Sequence, residues 1–379
     1  MILYDDLVTW ENLLPLTFTR SIAECRVGIL TIQEKWAYYL DEEVQIVYAM
    51  DYLKAGELRN EGKKVASHIL PNRKLADSIK NLGENSILIY EGEEIASNKA
   101  STNSTKVAYQ GEITFVKFPW HFFIENDAEI RKDYKLLTAE RTSAHVSSDN
   151  KVIGENIFIE PGAKVHCSII NTDSGPVYIG KNAEVMEGAM IRGPFALCNN
   201  AQVKMGAKIY GATTIGPGCK VGGEITNSVF FANSNKAHDG YLGNSVIGEW
   251  CNLGADTNSS NLKNNYSKVE LFNYHQKAVI ETSQQFLGLI MGDHSKCGIN
   301  TMFNTGTVVG VCANIVGAGF PKKHIPSFSW SISEKIRPYD LEKAFETIHA
   351  VYARRSKIIT AREVGILSHI HNITMNSSS

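Results

Sequence analysis

Residues 179–226 read IGKNAE VMEGAM IRGPFA LCNNAQ VKMGAK IYGATT IGPGCK VGGEIT, a run of hexapeptides in one frame. Each hexapeptide begins with an aliphatic residue, and its fifth position mostly holds a small side chain: Ala183, Ala189, Ala201, Ala207, Thr213 and Cys219. A six-residue repeat is typical of a parallel β-helix, in which each hexapeptide supplies one short strand and one turn. We expect the aliphatic residue to point inward and the small residue to let the corner close.

The repeat extends from Ile153 to about Phe320 and has a second clear block, MGDHSK CGINTM FNTGTV VGVCAN IVGAGF, that starts at Met291. Between Leu253 and Met291 the spacing is not a multiple of six. The polar run SSNLKNNYSK, which starts at Ser259, is therefore expected to leave the coil as an arm or loop.

A second break in the frame lies between Val221 and Ile247. These residues are 26 positions apart, which is four hexapeptides and two residues. Counting back by sixes from Ile247 places a repeat start at Asn235, so we expect this polar residue to occupy an inward position. The two extra residues are then expected near Thr226–Ser228. A polar group at an inward position needs partners, which marks NSNKAHDGYLG (233–243) as a candidate site.

The first part of the chain follows a different pattern. The apolar segments ILTIQEKWAYYL (29–40), VQIVYAM (44–50) and SILIYEG (86–92) alternate with charged connectors, which favours an α/β domain. We therefore expect an α/β domain at 1–145 and a β-helix at 151–325.

The last part of the chain, 326–379, is predicted to be a helical cap with a tail. YDLEKAFETIHAVYARR (339–355) has helical spacing, and Thr360–Glu363 has the form of a capping box before a further helix. We expect these helices to cover the end of the β-helix, and NITMNSSS (372–379) to be frayed.

Composition excludes several classes of partner. The 38 Lys and Arg residues against 40 Asp and Glu give a formal net charge of −2, with no basic run, which argues against nucleic acid and anionic membranes. The start, MILYDDLVTW, lacks the basic and apolar segments of a secretory signal, and no apolar stretch approaches about 18 residues. Seven cysteines without a C-x-x-C pair suit a reducing compartment. The sequence thus predicts a cytoplasmic protein.

Two stretches resemble a known family. NKAHDGYLGNSVIGEWCNLGADTNSSNLKN (235–264) resembles the acetyltransferase half of the bifunctional N-acetylglucosamine-1-phosphate uridylyltransferase/glucosamine-1-phosphate acetyltransferase. NLLPLTFTR (12–20) is similar to the P-L-T core of the sugar nucleotidyltransferase signature. The resemblance implies a shortened, Rossmann-like nucleotidyltransferase domain followed by a left-handed β-helix and C-terminal helices. It also implies a homotrimer in which acetyl-CoA, the co-substrate, and a sugar phosphate or sugar nucleotide, the acceptor, meet between subunits.

The same resemblance assigns roles to residues of the polar coil. His238 takes the place of the general base at a trimer interface, and imidazole is the usual base for acyl transfer near neutral pH. The substrate-binding residues that it implies, together with polar neighbours of His238, are Tyr241, Asn252, Asn261, Lys236 and Asn235. The family's basic phosphate-binding residue would fall near Thr226, which carries no charge, so the identity of the acceptor stays open.

The N-terminal half departs further from the family. YDDLVTWEN (4–12), with three acidic residues and no glycine, stands where a glycine-rich loop would cradle the triphosphate. Thr17, Arg20 and Arg26 are the candidate nucleotide- or phosphate-binding residues, and the arginines are suited to bidentate phosphate contacts. No metal ligands are assigned, although Mg²⁺ would accompany a nucleoside triphosphate if this domain is active.

Other functions remain open at this stage. One is a nucleotidyltransferase whose β-helix is only a trimerisation scaffold, and another is a non-catalytic sugar-nucleotide-binding protein. A γ-type carbonic anhydrase is disfavoured because the histidines show no H-x-x-x-x-H pair. The sugar, the nucleotide and the acyl group are not specified by the sequence.

Overall fold

The computed structural model of the protein describes residues 1–54, 62–333 and 335–377. The first part is an α/β domain with helices α1 (Leu7–Asn12), α2 (Ile32–Leu40), α3 (Arg73–Lys80), α4 (His121–Ile124) and α5 (Asn126–Thr138). Its strands are β1 (Ile2–Tyr4), β2 (Gln45–Val47), β3 (Lys63–Ala66), β4 (Ile69–Leu70), β5 (Ser86–Tyr90), β6 (Glu93–Asn98), β7 (Thr105–Ala108) and β8 (Thr114–Phe115). Six strands form one mixed sheet in the order β2-β1-β3-β6-β5-β7, and β4 pairs with β8. The predicted α/β class is confirmed.

A buried cluster of charges joins α2 to α5. Lys35 of α2 lies in the core, and its Nζ is 2.8 Å from Oε2 of Glu129 and 2.5 Å from Oδ1 of Asp133. All three side chains are at most 2% exposed. Burial lowers the pKa of Lys35, but the two carboxylates outweigh it and raise the pKa overall. The lysine therefore stays charged and ties the two helices together.

The second part of the chain is a β-helix built from short strands. In chain order, these are β9 (Lys151–Ile153), β10 (Ile157–Ile159), β11 (Lys164–Val165), β12 (Ile169–Asn171), β13 (Val177–Ile179), β14 (Glu184–Val185), β15 (Met190–Arg192), β16 (Phe195–Leu197), β17 (Gln202–Val203), β18 (Lys208–Tyr210), β19 (Thr213–Ile215), β20 (Lys220–Val221), β21 (Glu224–Thr226), β22 (Val229–Phe230), β23 (Asn235–Lys236), β24 (Tyr241–Gly243), β25 (Val246–Ile247), β26 (Asn252–Leu253), β27 (Asn258–Ser259), β28 (Glu270–Asn273), β29 (Ala278–Glu281), β30 (Leu289–Met291), β31 (Lys296–Cys297), β32 (Met302–Phe303), β33 (Thr307–Val309), β34 (Asn314–Val316), β35 (His324–Ile325), β36 (Ser329–Ile332) and β37 (Lys335–Pro338).

Apart from β28 and β29, these strands stack into three sheets around one core, as the hexapeptides predict. Sheet I has the order β10-β13-β16-β19-β22-β25-β30-β33-β35, sheet II the order β11-β14-β17-β20-β23-β26-β31-β34-β36-β37, and sheet III the order β32-β27-β24-β21-β18-β15-β12-β9. Together they form the predicted left-handed parallel β-helix. In the block 179–226 the first residue of each hexapeptide is buried, for example Ile179, Val185, Leu197 and Val203 at 0% exposure, whereas Ile153, the expected start of the repeat, is 37% exposed. The small corner residues, such as Ala183, are buried as well.

The prediction that Asn235 points inward is wrong. In sheet II, Asn235 pairs with Lys220 while Lys236 pairs with the buried Val221, so Lys236 occupies the inward position. The inward residues after Val221 are Ile225, Phe230, Lys236, Leu242 and Ile247. They follow at steps of four, five, six, six and five residues. The break therefore consists of shortened steps, not of two residues inserted near Thr226–Ser228.

The segment between β27 and β30 leaves the coil, as predicted. Within it, β28 and β29 pair as an antiparallel hairpin. The hairpin reaches the first helix of the α/β domain, because Nδ2 of Asn273 donates to Oδ1 of Asn12 at 3.0 Å. Nδ1 of His275 lies 2.6 Å from Oε2 of Glu11. The arm thus fastens the β-helix to the N-terminal domain.

The C-terminal helices do not cap the end of the β-helix, which corrects the prediction. The last strand, β37, pairs antiparallel with β36 at the end of sheet II, beyond the expected boundary at 325. Helix α6 (Leu341–Ala353) packs beside a middle coil, and helix α7 (Ala361–Ser377) contacts the last coil, through His371 and Phe328, and the α/β domain, where Arg362 donates to the carbonyl oxygen of Leu53. The ring of Tyr352 on α6 lies 4.2 Å, between centroids, from that of Trp250 in a middle coil. Residues 372–377, which were expected to fray, belong to α7, and 378–379 lie outside the described residues.

The capping box before α7 is present. The backbone N–H of Thr360 donates to Oε2 of Glu363 at 2.7 Å, and the N–H of Glu363 donates to Oγ1 of Thr360 at 3.2 Å. In the described part of the chain, none of the helices combines the length and the apolar character needed to cross a bilayer.

Candidate functional site

A cleft of about 660 Å³ lies on the outer face of sheet II. Its floor is a ladder of outward side chains on the neighbouring strands β20, β23, β26 and β31. In that order they are Lys220, Asn235, Asn252 and Lys296, each paired with the next across the sheet. Successive residues of a strand point to opposite faces, so the inward residues hold the core while this row faces the cleft. Two of the predicted substrate-binding residues, Asn235 and Asn252, therefore lie side by side.

His238 lies at the rim of the same cleft. It belongs to the turn that follows β23, at the corner between sheets II and III, and its side chain is exposed. The corresponding turns of the next two coils contribute Ala255 and Ile299 to the rim. The structure thus brings the predicted general base together with Asn235 and Asn252 within a single chain.

The end of α6 supplies the opposite wall, through Val351, Arg354 and Arg355. Nη1 of Arg355 donates to the carbonyl oxygen of Gly218 at 2.6 Å, and its Nη2 donates to Oδ1 of Asn235 at 3.2 Å. These bonds fix both the helix end and the amide of Asn235. The two arginines were not among the predicted site residues, because they are more than 100 positions from the polar coil.

Lys236 lies inside the coil directly beneath this site. It is fully buried, and its Nζ donates to the carbonyl oxygens of His238 at 3.0 Å, Asp239 at 3.2 Å and Gly222 at 3.4 Å. Burial lowers the pKa of Lys236 to about 8, although Asp239 opposes the shift. Lys236 therefore holds the turn that carries His238, and its amino group does not line the cleft. A direct role in substrate binding stays a prediction.

The depressed pKa of Lys236 predicts a pH-dependent stability. Between about pH 8 and the ordinary lysine pKa near 10.4, the unfolded chain binds more protons at this site than the folded chain. The free energy of unfolding of the wild type is therefore expected to rise with pH in this window, by up to about 3 kcal/mol relative to Lys236→Met. Urea denaturation of both proteins across the window measures this.

The control for that measurement is Lys164→Met, which removes an exposed lysine from β11. Its stability difference from the wild type is expected to stay flat over the same range of pH. A flat difference for Lys236→Met as well would show that Lys236 has no depressed pKa.

Tyr241 and Asn261 lie on a different face. Tyr241 belongs to sheet III, where Nδ2 of Asn261 donates to its hydroxyl at 2.9 Å. The same amide donates to Oδ1 of Asn244 at 2.8 Å. Neither Tyr241 nor Asn261 lines the cleft. The corner that holds His238 separates this pair from the amides of the cleft floor, so the two groups belong to adjoining faces.

The predicted phosphate-binding residues of the N-terminal domain lie in its interior. The hydroxyl of Thr17 donates to the carbonyl oxygen of Trp10 at 2.7 Å. Arg20 is buried and pairs with two carboxylates of the β-helix: its Nη2 bonds Oδ2 of Asp293, and its Nη1 lies 3.3 Å from Oε1 of Glu249. Burial lowers the pKa of Arg20, but these carboxylates outweigh it and raise the pKa overall.

Arg26 is engaged in a similar way. Its Nη1 donates to the carbonyl oxygen of Ile29 and lies 3.7 Å from Oε2 of Glu34. Arg20 therefore joins the two domains, and Arg26 braces its own loop. Their role in binding phosphate stays a prediction.

A second cavity, of about 340 Å³, opens at the carboxyl ends of β1 and β3. Helix α1 follows β1 directly in place of a phosphate-binding loop, and Asp6 caps it by accepting from the N–H of Thr9 at 2.8 Å. Nδ1 of His68 lies 2.9 Å from Oδ2 of Asp6. Within the described ranges, no group of three His, Cys, Asp or Glu side chains has the geometry to hold a metal ion.

Comparison with known proteins finds a family match for the N-terminal domain and relatives that match parts of the chain. Residues 1–142 match the sugar nucleotidyl transferase family. The bifunctional protein GlmU of Clostridium kluyveri is 26% identical over 223 residues, which cover 58% of this chain and 41% of that protein. The bifunctional protein GlmU of Methanocaldococcus jannaschii is 39% identical over 87 residues, 23% of this chain and 21% of that protein.

A shorter relative matches over much of its own length. The uncharacterized acetyltransferase YaiX of Escherichia coli is 26% identical over 170 residues, which cover 44% of this chain and 73% of that protein. By contrast, this chain spans about two fifths of the length of the Clostridium relative that it matches.

Proposed function

From the premise that this chain resembles GlmU-like proteins with a hexapeptide acyltransferase domain, we propose that the cleft on sheet II is an acyl-transfer site. The enzyme is a transferase that uses an acyl-CoA, with acetyl-CoA as the first candidate, and a sugar phosphate or sugar nucleotide as acceptor. The observation that supports this most strongly is that His238, Asn235 and Asn252 line one cleft. His238 stands on a turn, whereas the two asparagines stand on neighbouring strands of sheet II.

The proposed chemistry assigns each group a step. The His238 imidazole accepts the proton of the attacking amine or hydroxyl of the sugar as its nitrogen or oxygen bonds the thioester carbon. The carbon–sulfur bond then breaks, and the imidazolium returns the proton to the departing thiolate of CoA. The amide N–H groups of Asn235 and Asn252 are the candidate donors to the negative oxygen of the intermediate.

Cleft size is consistent with this chemistry. Small-molecule sites usually occupy about 300–1,000 Å³, and the volume of about 660 Å³ falls in that range. Lys236 keeps the His238 turn in place from below through its bonds to two carbonyls of that turn, which is the support that a positioned base requires.

For the N-terminal domain we propose binding of a sugar nucleotide or nucleoside triphosphate in the cavity at β1 and β3. Ligands of open α/β sheets bind outside the carboxyl ends of the strands. The cavity is lined by Asp6, Glu93 and Glu94, whose charges would repel a triphosphate unless Mg²⁺ accompanies it. The alternative function is that of a nucleotidyltransferase or a sugar-nucleotide-binding protein. In that case the β-helix would be only a scaffold and would not carry out acyl transfer.

We also propose that the protein is a homotrimer that packs through the outer face of sheet III. This face carries several exposed apolar side chains, Ile153, Ile169, Met190, Tyr210 and Met302, each 37–47% exposed, with the charged residues Lys151, Arg192 and Lys208 among them. Exposed apolar side chains gathered on one face, with polar residues among them, are typical of a protein–protein interface. Size-exclusion chromatography with light scattering would measure the mass of the protein in solution. The proposal predicts a mass three times that of the 41.9 kDa chain.

Titration calorimetry of the full chain tests the proposed function. We expect acetyl-CoA to bind with a dissociation constant of about 1 μM to 1 mM, the range in which the KM values of most enzyme substrates fall. The nucleotides UTP and dTTP, each with and without Mg²⁺, serve as the comparison. If they bind while acetyl-CoA and a non-hydrolysable analogue give no heat, acyl transfer is rejected and the scaffold alternative stands.

A further inference from the structure

The sheet II cleft, floor and wall together, carries several positive charges and no negative one among its described lining residues. Four cationic side chains line it, namely Lys220, Lys296, Arg354 and Arg355, in addition to His238. Among the lining residues within the described part of the chain, none is a carboxylate. By contrast, the buried cations Lys35 and Arg20 are each paired with carboxylates.

Lys220 lies within reach of other cations of the cleft. Burial lowers its pKa, and the nearby Arg355, Lys204 and Arg354 lower it further, while Glu184 opposes them. Like charges at close range disfavour one another's charged forms. A ligand that brings negative charge into the cleft would relieve this repulsion.

The cluster is also held in place before any ligand binds. The bonds of Arg355 to the carbonyl of Gly218 and the amide of Asn235 orient its guanidinium without neutralising it. Its Cζ lies 5.9 Å from the ring centroid of Trp250, which is buried against Tyr352 of the same helix. The end of α6 is therefore a fixed part of the cleft, and Arg354 lies exposed beside it.

We infer that Lys220, Arg354 and Arg355 form a phosphate-binding subsite that takes a phosphate monoester or a diphosphate. Guanidinium groups bind phosphate oxygens bidentately, and an ammonium group adds a compact charge. That the subsite binds phosphate does not depend on the proposed function. Only the identity of the molecule that carries the phosphate rests on it. Both the CoA donor and a phosphorylated sugar would bring one, and the chemistry of the subsite is the same for either.

Binding of inorganic pyrophosphate to the full chain tests the subsite without requiring turnover. We expect Lys220→Met and Arg354→Ala each to weaken it about tenfold to a hundredfold, the usual effect of losing a charge-assisted hydrogen bond. Lys343→Ala, which removes an exposed positive charge from the other end of α6, is expected to bind as the wild type does. Equal affinity in all four proteins would overturn the inference.

Steady-state kinetics of the same variants identifies the carrier. A KM raised about tenfold for acetyl-CoA but not for acetylpantetheine, the same thioester without phosphates, assigns the subsite to the donor. A KM raised for a phosphorylated amino sugar but not for the unphosphorylated sugar assigns it to the acceptor. Unchanged KM for both phosphorylated substrates overturns the subsite. If the wild type binds pyrophosphate and the variants do not, yet the wild type consumes no acetyl-CoA, the subsite stands and the proposed acyl transfer fails.

Discussion

Replacing His238 with alanine is expected to lower the rate of acyl transfer by about 10²–10⁴-fold, the usual contribution of a general base. The imidazole is exposed at the rim of the cleft, so its loss leaves no cavity in the core. Release of free thiol from acetyl-CoA, followed with a thiol-reactive chromophore in the presence of an amino-sugar phosphate, measures the rate. Binding of acetyl-CoA is expected to change little, because the base acts in the chemical step.

The matched control is His166→Ala, which removes another exposed histidine of the β-helix, one that pairs with Asp149 away from the cleft. Both variants are expected to unfold at the temperature of the wild type. Turnover of His238→Ala equal to that of His166→Ala would remove the proposed mechanism.

The second large effect concerns stability. Replacing Asp293 with alanine is expected to lower the free energy of unfolding by about 3–5 kcal/mol, since it leaves the buried guanidinium of Arg20 without its main partner. Asp293 also accepts from the hydroxyl of Thr19 at 2.7 Å and from the N–H of Glu249 at 2.8 Å. Chemical denaturation at neutral pH measures the loss.

A double variant separates the charge from the packing. In Arg20→Met/Asp293→Ala the uncompensated cation is gone, so part of the lost stability is expected to return. Thr19→Val is the single-bond control and is expected to cost about 1 kcal/mol. A loss in Asp293→Ala no larger than that of Thr19→Val would mean that Arg20 does not depend on this carboxylate.

The repeat made the β-helix predictable, but not its register through the polar coil. A strict period of six identifies the inward residue wherever an aliphatic side chain marks it, as at Ile179 and Val203. Between Val221 and Ile247 several steps shorten to four or five residues. Counting by sixes therefore selected Asn235, one residue away from the truly inward Lys236. A shift of one residue reverses which side chain faces the core.

Part of the candidate site could also be predicted from the sequence. His238, Asn235 and Asn252 fall in adjacent coils of one polar stretch, and the repeat itself brings them together. Arg354 and Arg355 could not be placed in the same way, because the packing of α6 depends on Tyr352 and Trp250, which meet across about 100 residues. The basic pair at the end of a helix was the only local signal.

The pairing of buried charges was likewise beyond the sequence. Arg20 fitted a phosphate-binding residue by its position after P-L-T, yet in the fold Asp293 and Glu249 of the β-helix meet it. The sequence near Arg20 does not predict that it pairs with acidic residues more than 200 positions away. Long-range ion pairs of this kind are set by how the domains pack.

A crystal structure of the full chain with bound CoA tests the central claim most directly. We predict that the thiol of CoA lies in the cleft on sheet II beside His238, with Asn252 nearby and a phosphate either at Lys220 and Arg354 or in solvent. CoA bound only at another place on the protein, with the His238 cleft empty at saturating concentration, would contradict the assignment of this cleft to acyl transfer.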